Sequence, residues 1–136
     1  MKLNPYITFD GNCEEAMNFY KDCLGGEFES LNYFKDGPAE MGAPAHLADK
    51  IMHMALRFGD NVLMGADSMG DTPQAGHIAL SMNTEGVDGL DDAFNKLSVG
   101  GQIIMPLEDT FWGARFGMFM DKFEVKWMFN GQIANA

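Results

Sequence analysis

The chain has 136 residues, 46% of them hydrophobic, and a net charge of −11 from 20 acidic against 9 basic side chains. That length predicts one domain with a proper core and no second catalytic domain, and the acidic balance argues against nucleic acid and anionic membrane surfaces as partners. Apolar runs are too short for a membrane helix and the N-terminus has no secretory pattern, so a cytoplasmic protein is expected.

Alternation of Tyr6, Ile7, Thr8 and Phe9 predicts a strand from Leu3 to Phe9. Asn12, with Glu15 three residues later, has the pattern of a capping box opening a helix. Ala16, Phe19, Tyr20, Cys23 and Leu24 recur at helical spacing, and Gly25 supplies the stop. Cys13 and Cys23 would lie about 15 Å apart along this helix, too far for a disulfide. Cys13 follows the cap directly, a position that can lower a thiol pKa.

Glu27 to Phe34 reads as a second strand. Residues 35–50 carry Gly, Pro and Ala without periodicity, which predicts a long surface loop, a candidate lid, with His46 in solvent. Ile51 to Phe58 and Val62 to Ala66 predict a hairpin around Gly59-Asp60-Asn61, and Asp67 to Ala75 a polar linker.

The order then repeats. His77 to Ser81 predicts a strand; Val87, Leu90, Phe94 and Leu97 make a helical stripe; Gly100-Gly101 matches Gly25-Gly26. A strand begins at Gln102, and Arg115 to Met120 with Val125 to Phe129 predicts a last hairpin, with Asp121 accepting N–H bonds in its turn. We therefore expect an α+β fold of two βαβββ modules, about residues 1–69 and 76–130, in a single domain spanning 1–136 with mostly antiparallel sheet. Such a domain places its useful surface where the modules meet. Two sheets with one helix each leave edges to cover, which predicts a homodimer.

Several residues could carry function. His53, between Met52 and Met54, points opposite to both by alternation. His77 either is satisfied by a backbone carbonyl or contacts a ligand and shuttles a proton. Phe111-Trp112-Gly113-Ala114-Arg115 either pins a loop or forms an apolar wall beside a cation, and Arg115 can instead pair with Asp109 or Asp121. Met52, Met54, Met64, Met105, Met118, Met120 and Met128 fall on predicted strands, as core filling or as an adaptable pocket lining. No nucleophile elbow, phosphate-binding loop or close-spaced Cys/His cluster occurs.

The stretches Asn4 to Asp10, Phe19-Tyr20 to Gly26, Ile51 to His53, Asp60 to Asp67, Gly76 to Leu80, and Phe111 to Asp121 with Trp127 also run in the order of a known family. The chain resembles the vicinal oxygen chelate superfamily, which includes glyoxalase I, extradiol dioxygenases and bleomycin-resistance proteins, and within it the PhnB-like subfamily. The resemblance implies sheets that curve into a cleft, often completed by a homodimer. Some relatives carry a ubiquinone-pathway methyltransferase label, which this sequence does not support because it has no glycine-rich strand-to-helix loop.

Metal-dependent members take one ligand from the first and one from the last strand of each module. Carried over, those positions fall on Asn4 or its neighbour, on His77, near Met64 and on Met128. Among these only His77 suits a hard divalent ion, so no metal and no other cofactor is expected. The expected function is binding of a small, partly apolar molecule in a metal-free cleft lined by Tyr6, His53, Met64, His77, Trp112, Arg115 and Met128. The alternative is an enzyme of lyase or isomerase type using His53 or His77 as general acid/base, with or without a divalent metal. A third reading is a dimeric scaffold with a vestigial cleft.

Overall fold

We describe residues 1–70 and 78–133 from a computed structural model. The chain divides into two compact units, Met1–Gln74 and Ala75–Ala136. The first module runs β1 (Tyr6–Phe9), α1 (Cys13–Leu24), β2 (Glu27–Tyr33), β3 (Ile51–Phe58) and β4 (Asn61–Asp67). The second runs β5 (Leu80–Thr84), α2 (Leu90–Leu97), β6 (Gln102–Asp109), β7 (Ala114–Met120) and β8 (Lys126–Gln132). Each is βαβββ, as the repeat predicts.

The sheet order is β1-β4-β3-β2 in one module and β5-β8-β7-β6 in the other. In both, the first strand lies parallel to the last, and the remaining pairs are antiparallel. The outer strands β2 and β6 both carry register shifts, which blunt an exposed edge. Gly26 and Gly101 open those strands at matching places. A Cβ on Gly26 would run into the Arg57 carbonyl, and one on Gly101 into the Met120 carbonyl.

In the first module α1 buries Cys13, Ala16, Met17 and Tyr20 and packs on β3 and β4, whose Met54, Leu56 and Leu63 are buried. The sequence spacing placed this helix correctly but not its cap. Asn12 makes no side-chain cap bond, so the expected capping box does not form. Asp67 supplies the acceptor instead. Its Oδ1 takes the Cys13 N–H at 3.0 Å and its Oδ2 the Ile51 N–H at 2.9 Å, so one buried carboxylate ties α1 and β3 to the end of β4. A negative charge there also complements the helix dipole. It works against a Cys13 thiolate, correcting the expectation of a lowered pKa: burial, then Asp67 and Glu14, push the Cys13 thiol far up.

Residues 35–50 do not form a loose loop. The segment contains three short 3-10 turns, its ends are joined by Phe34 N–H to the Lys50 carbonyl at 3.0 Å and Lys35 N–H to the Ala48 carbonyl at 3.1 Å, and Phe34 and Leu47 are buried. His46 is exposed, as expected.

In the second module Leu90, Phe94 and Leu97 of α2 are buried. Phe94 meets Phe119 and Phe129 edge-on at 4.9 and 5.5 Å. Val87, expected in the helical stripe, lies ahead of the helix because Gly89, at φ 75, turns the chain into it. β5 begins at Leu80 and runs on to Thr84, three residues past its expected end. Asp121 fills its expected turn role: Oδ1 accepts the Phe123 and Val125 N–H groups at 2.8 and 3.0 Å. Its Oδ2 also accepts the Trp127 indole N–H at 2.9 Å. No described helix is long and apolar enough to cross a membrane.

Candidate functional site

Each sheet has a face under its helix and an open face. In β4, Leu63, Gly65 and Asp67 turn toward α1, and a Cβ on Gly65 would sit 3.2 Å from the Cys13 sulfur. By alternation Val62, Met64 and Ala66 turn away. The register adds Tyr6 opposite Met64, Thr8 opposite Ala66, Ala55 opposite Met64, and Asn32 opposite His53. Met54 is fully buried, so its neighbour His53 lies on the open face, as the alternation predicts.

The Tyr6 hydroxyl lies 3.2 Å from His53 Nδ1, with the rings 5.6 Å apart and tilted by 33°. Burial raises the Tyr6 phenol above its ordinary value, with a smaller push from Cys13, so it stays a protonated donor at neutral pH. Either group can donate in this contact, depending on which ring nitrogen of His53 carries the proton. The structure thus joins Tyr6, His53 and Met64 on one surface, and the bond between the first two is invisible in the sequence because 47 residues separate them.

In the second module Phe119, Phe129 and Trp127 share the helix side, where Phe119 and Trp127 stack at 6.4 Å. Lys126, Met128 and Asn130 of β8 therefore occupy the open face, with Phe116, Met118 and Met120 of β7 opposite them in register. Ser81 pairs with Met128 and Asn83 with Asn130. Trp112 lies 6.0 Å from the Phe116 ring and is 55% exposed. Its loop stands on a tied base: Thr110 N–H to the Ala114 carbonyl at 2.8 Å, and Ile133 N–H to the Gly113 carbonyl at 3.0 Å.

Arg115 is on the other side of its strand. Its Nε and Nη2 each donate to Asp91 of α2 at 2.8 Å, and Nη1 donates to Asp109 at 3.0 Å. These bonds hold Asp91 below the usual carboxylate range and raise the guanidinium. The Asp109 pairing was legible in the sequence. The Asp91 pairing was not, because 24 residues separate the two and only the folded packing joins them.

Of the positions carried over for a metal, Asn4 lies just ahead of β1; the parallel registers set Tyr6 beside Met64 and Ser81 beside Met128. His77 lies outside the described residues. An Asn amide and two thioethers suit a hard divalent ion poorly, so Asn4, Met64 and Met128 do not fit the metal of metal-dependent relatives. Among the described residues no three His, Cys, Asp or Glu side chains form a metal-binding group. A separate hollow of about 340 Å³ lies at the start of α1, lined by Asn12, Glu14, Asp49 and Lys50 among others. Lys50 there donates to the Gly11 carbonyl at 2.9 Å.

The sequence model of the glyoxalase/bleomycin resistance protein/dioxygenase superfamily matches residues 2–129. Protein YjdN of Escherichia coli (strain K12) is 31% identical, over 96% of this chain and 95% of its own. The crystal structure of protein PA1353 from Pseudomonas aeruginosa is 38% identical with a TM-score of 0.88, covering 98% of this chain and 99% of that one. The PhnB protein from Bacillus cereus is 25% identical with a TM-score of 0.78, covering 96% and 99%. The fosfomycin resistance protein FosX from Listeria monocytogenes shares the fold, at 10% identity and a TM-score of 0.67 over 97% and 93%. With two βαβββ modules and a match along nearly its whole length, the chain belongs to the glyoxalase/bleomycin resistance protein/dioxygenase superfamily, the vicinal oxygen chelate group that includes PhnB-like proteins.

Proposed function

We propose that this protein binds a small, partly apolar molecule on the open faces of its sheets. The observation that carries the reading is the Tyr6–His53 hydrogen bond beside Met64. A polar pair held in place beside Met64, Ala55 and Ala66 gives the mixture of polar and apolar groups that orients a small ligand while burying part of it. Trp112 and Met128 supply apolar surface in the second module, and His77 a further polar anchor. Arg115 can meet an anion only by giving up part of its contact with Asp91 or Asp109, so it serves first to brace the hairpin. Binding without chemistry resembles the role of the antibiotic-sequestering members.

The same contact also favours a second reading, an isomerase or lyase in which His53 moves a proton at Nε2 while the Tyr6 hydroxyl orients the ring through Nδ1. A cytoplasmic homodimer is part of both readings, and sedimentation at micromolar concentration tests it. Calorimetric titration against a panel of metabolites and antibiotics tests the binding. Tyr6→Phe and His53→Ala should each weaken a captured ligand about tenfold, the cost of a lost hydrogen bond in a partly desolvated site. A ligand whose affinity ignores both residues and Trp112 would overturn the reading.

A further inference from the structure

We propose that the open face of the second sheet selects an amphipathic anion. Lys126 takes its carboxylate, sulfonate or phosphate head, and an apolar body lies along Met120, Met118 and Met128 toward Phe116 and Trp112. This rests on the binding reading above and narrows it to a class of ligand.

The first part of the argument is charge. Most of the other described cations have a partner: Lys35 pairs with Asp49, Arg57 with Glu29, Lys96 with Asp92, and Arg115 with Asp91 and Asp109. Lys50 is held by the Gly11 carbonyl. Lys126 makes no ion pair among the described residues, although it is half-buried and stands opposite Met120 with Met128 two residues along its own strand. The acid near it in the hairpin, Asp121, has both oxygens turned to N–H groups of that hairpin. A cation at the end of a row of thioethers lets one ligand combine an ion pair with apolar contact.

The second part is spacing. Successive open-face rows are Lys126 with Met120, Met128 with Met118, and Asn130 with Phe116. At about 3.3 Å per residue, Lys126 and Asn130 stand about 13 Å apart. The charged end of a ligand is therefore separated from the aromatic end, where Phe116 meets Trp112, by the length of a two-ring or medium-chain acid. Ser81 and Asn83, themselves hydrogen-bonded at 3.0 Å, line the neighbouring strand with polar groups.

A structural role for Lys126 would use its stem to cover Met120 and leave its head in water. Lys126→Met separates the two roles, because it keeps the stem and removes the charge. The probes are 8-anilinonaphthalene-1-sulfonate and its uncharged counterpart N-phenyl-1-naphthylamine, titrated by fluorescence against the full chain. Lys126→Met should weaken the sulfonate about tenfold and leave the neutral amine unchanged; Lys126→Arg should restore the sulfonate; added salt should narrow the gap between the probes. Phe116→Ala should weaken both. Unfolding curves of each variant confirm that the fold is retained. Equal loss of both probes on Lys126→Met, or no loss of either, overturns the anion site while leaving the binding reading intact. If neither probe binds the unmutated chain but a neutral ligand from the panel does, the anion site alone fails; if nothing binds, both fail.

Discussion

The two modules share one plan and hold their helices by different means. In the first, Asp67 reaches from the end of β4 to the first N–H of α1, inside the core. In the second, the buried carboxylate Asp121 sits in the β7–β8 turn and accepts N–H groups of that hairpin, while Arg115 ties α2 through Asp91. A buried carboxylate with both oxygens occupied is costly to disturb, whereas a solvent-facing ion pair is screened and replaceable. Removing Asp67 should therefore loosen the hold on α1 strongly, whereas salt and acid should loosen only the Arg115 contact with α2.

The largest effect expected on that comparison comes from Asp67→Ala. It strands the N–H groups of Cys13 and Ile51 in the core and should cost about 3 kcal/mol, read from urea unfolding. A cost well under 1 kcal/mol would break the contrast. Next, Trp112→Ala should weaken ligand binding by about 2 kcal/mol, the loss typical of a truncated aromatic anchor. Trp127 gives the internal control. It is 3% exposed and bonded to Asp121, so a change in its emission reports disturbance of the core rather than ligand contact.

A smaller effect belongs to Arg115→Met, which should lower stability slightly and by less as salt rises. The folded state depresses the Asp91 pKa, so this contribution is present above the ordinary carboxylate range and is lost as pH falls below that range through the lower folded value. Asp91→Asn should flatten that acid limb. A limb that survives Asp91→Asn would place the acid sensitivity elsewhere. The smallest effect near neutrality concerns Cys13. Folding raises its pKa, so its stabilising contribution is complete below the ordinary thiol range and is lost only as pH climbs through that range toward the folded value. Alkylation at pH 8 should spare it until the chain unfolds; rapid labelling of Cys13 in the folded protein would show the first module to be looser than its core implies.

These contrasts also mark what the sequence could convey. The bounds of α1, the β3–β4 hairpin and the module repeat were legible because each rests on a pattern within a short window: helical spacing, alternation, a glycine stop. Asp67 falls where the sequence reads as a linker, since nothing nearby shows that its partners are Cys13 and Ile51. The Tyr6–His53 contact and the Arg115–Asp91 clamp were likewise out of reach, because each depends on which strands lie side by side and in which register. Tyr6, His53, Met64, Trp112 and Met128 could be named singly from alternation and residue type. That Arg115 faces the helix while Met128 faces away follows only once Phe94 is seen against Phe119 and Phe129.

The parallel pairing of first strand with last has a kinetic side. α1 and the β3–β4 hairpin can form from near neighbours in the chain, but Tyr6 must find Met64, and β5 must wait for β8. Until that late step, β4 carries a bare edge beside the slot meant for β1, the kind of surface on which nascent chains join one another. A free peptide copying residues 4–10 would compete for the slot during refolding and slow the recovery of native protein. The N-terminal strand is thus expected to close its module last, and refolding rates with and without that peptide check it.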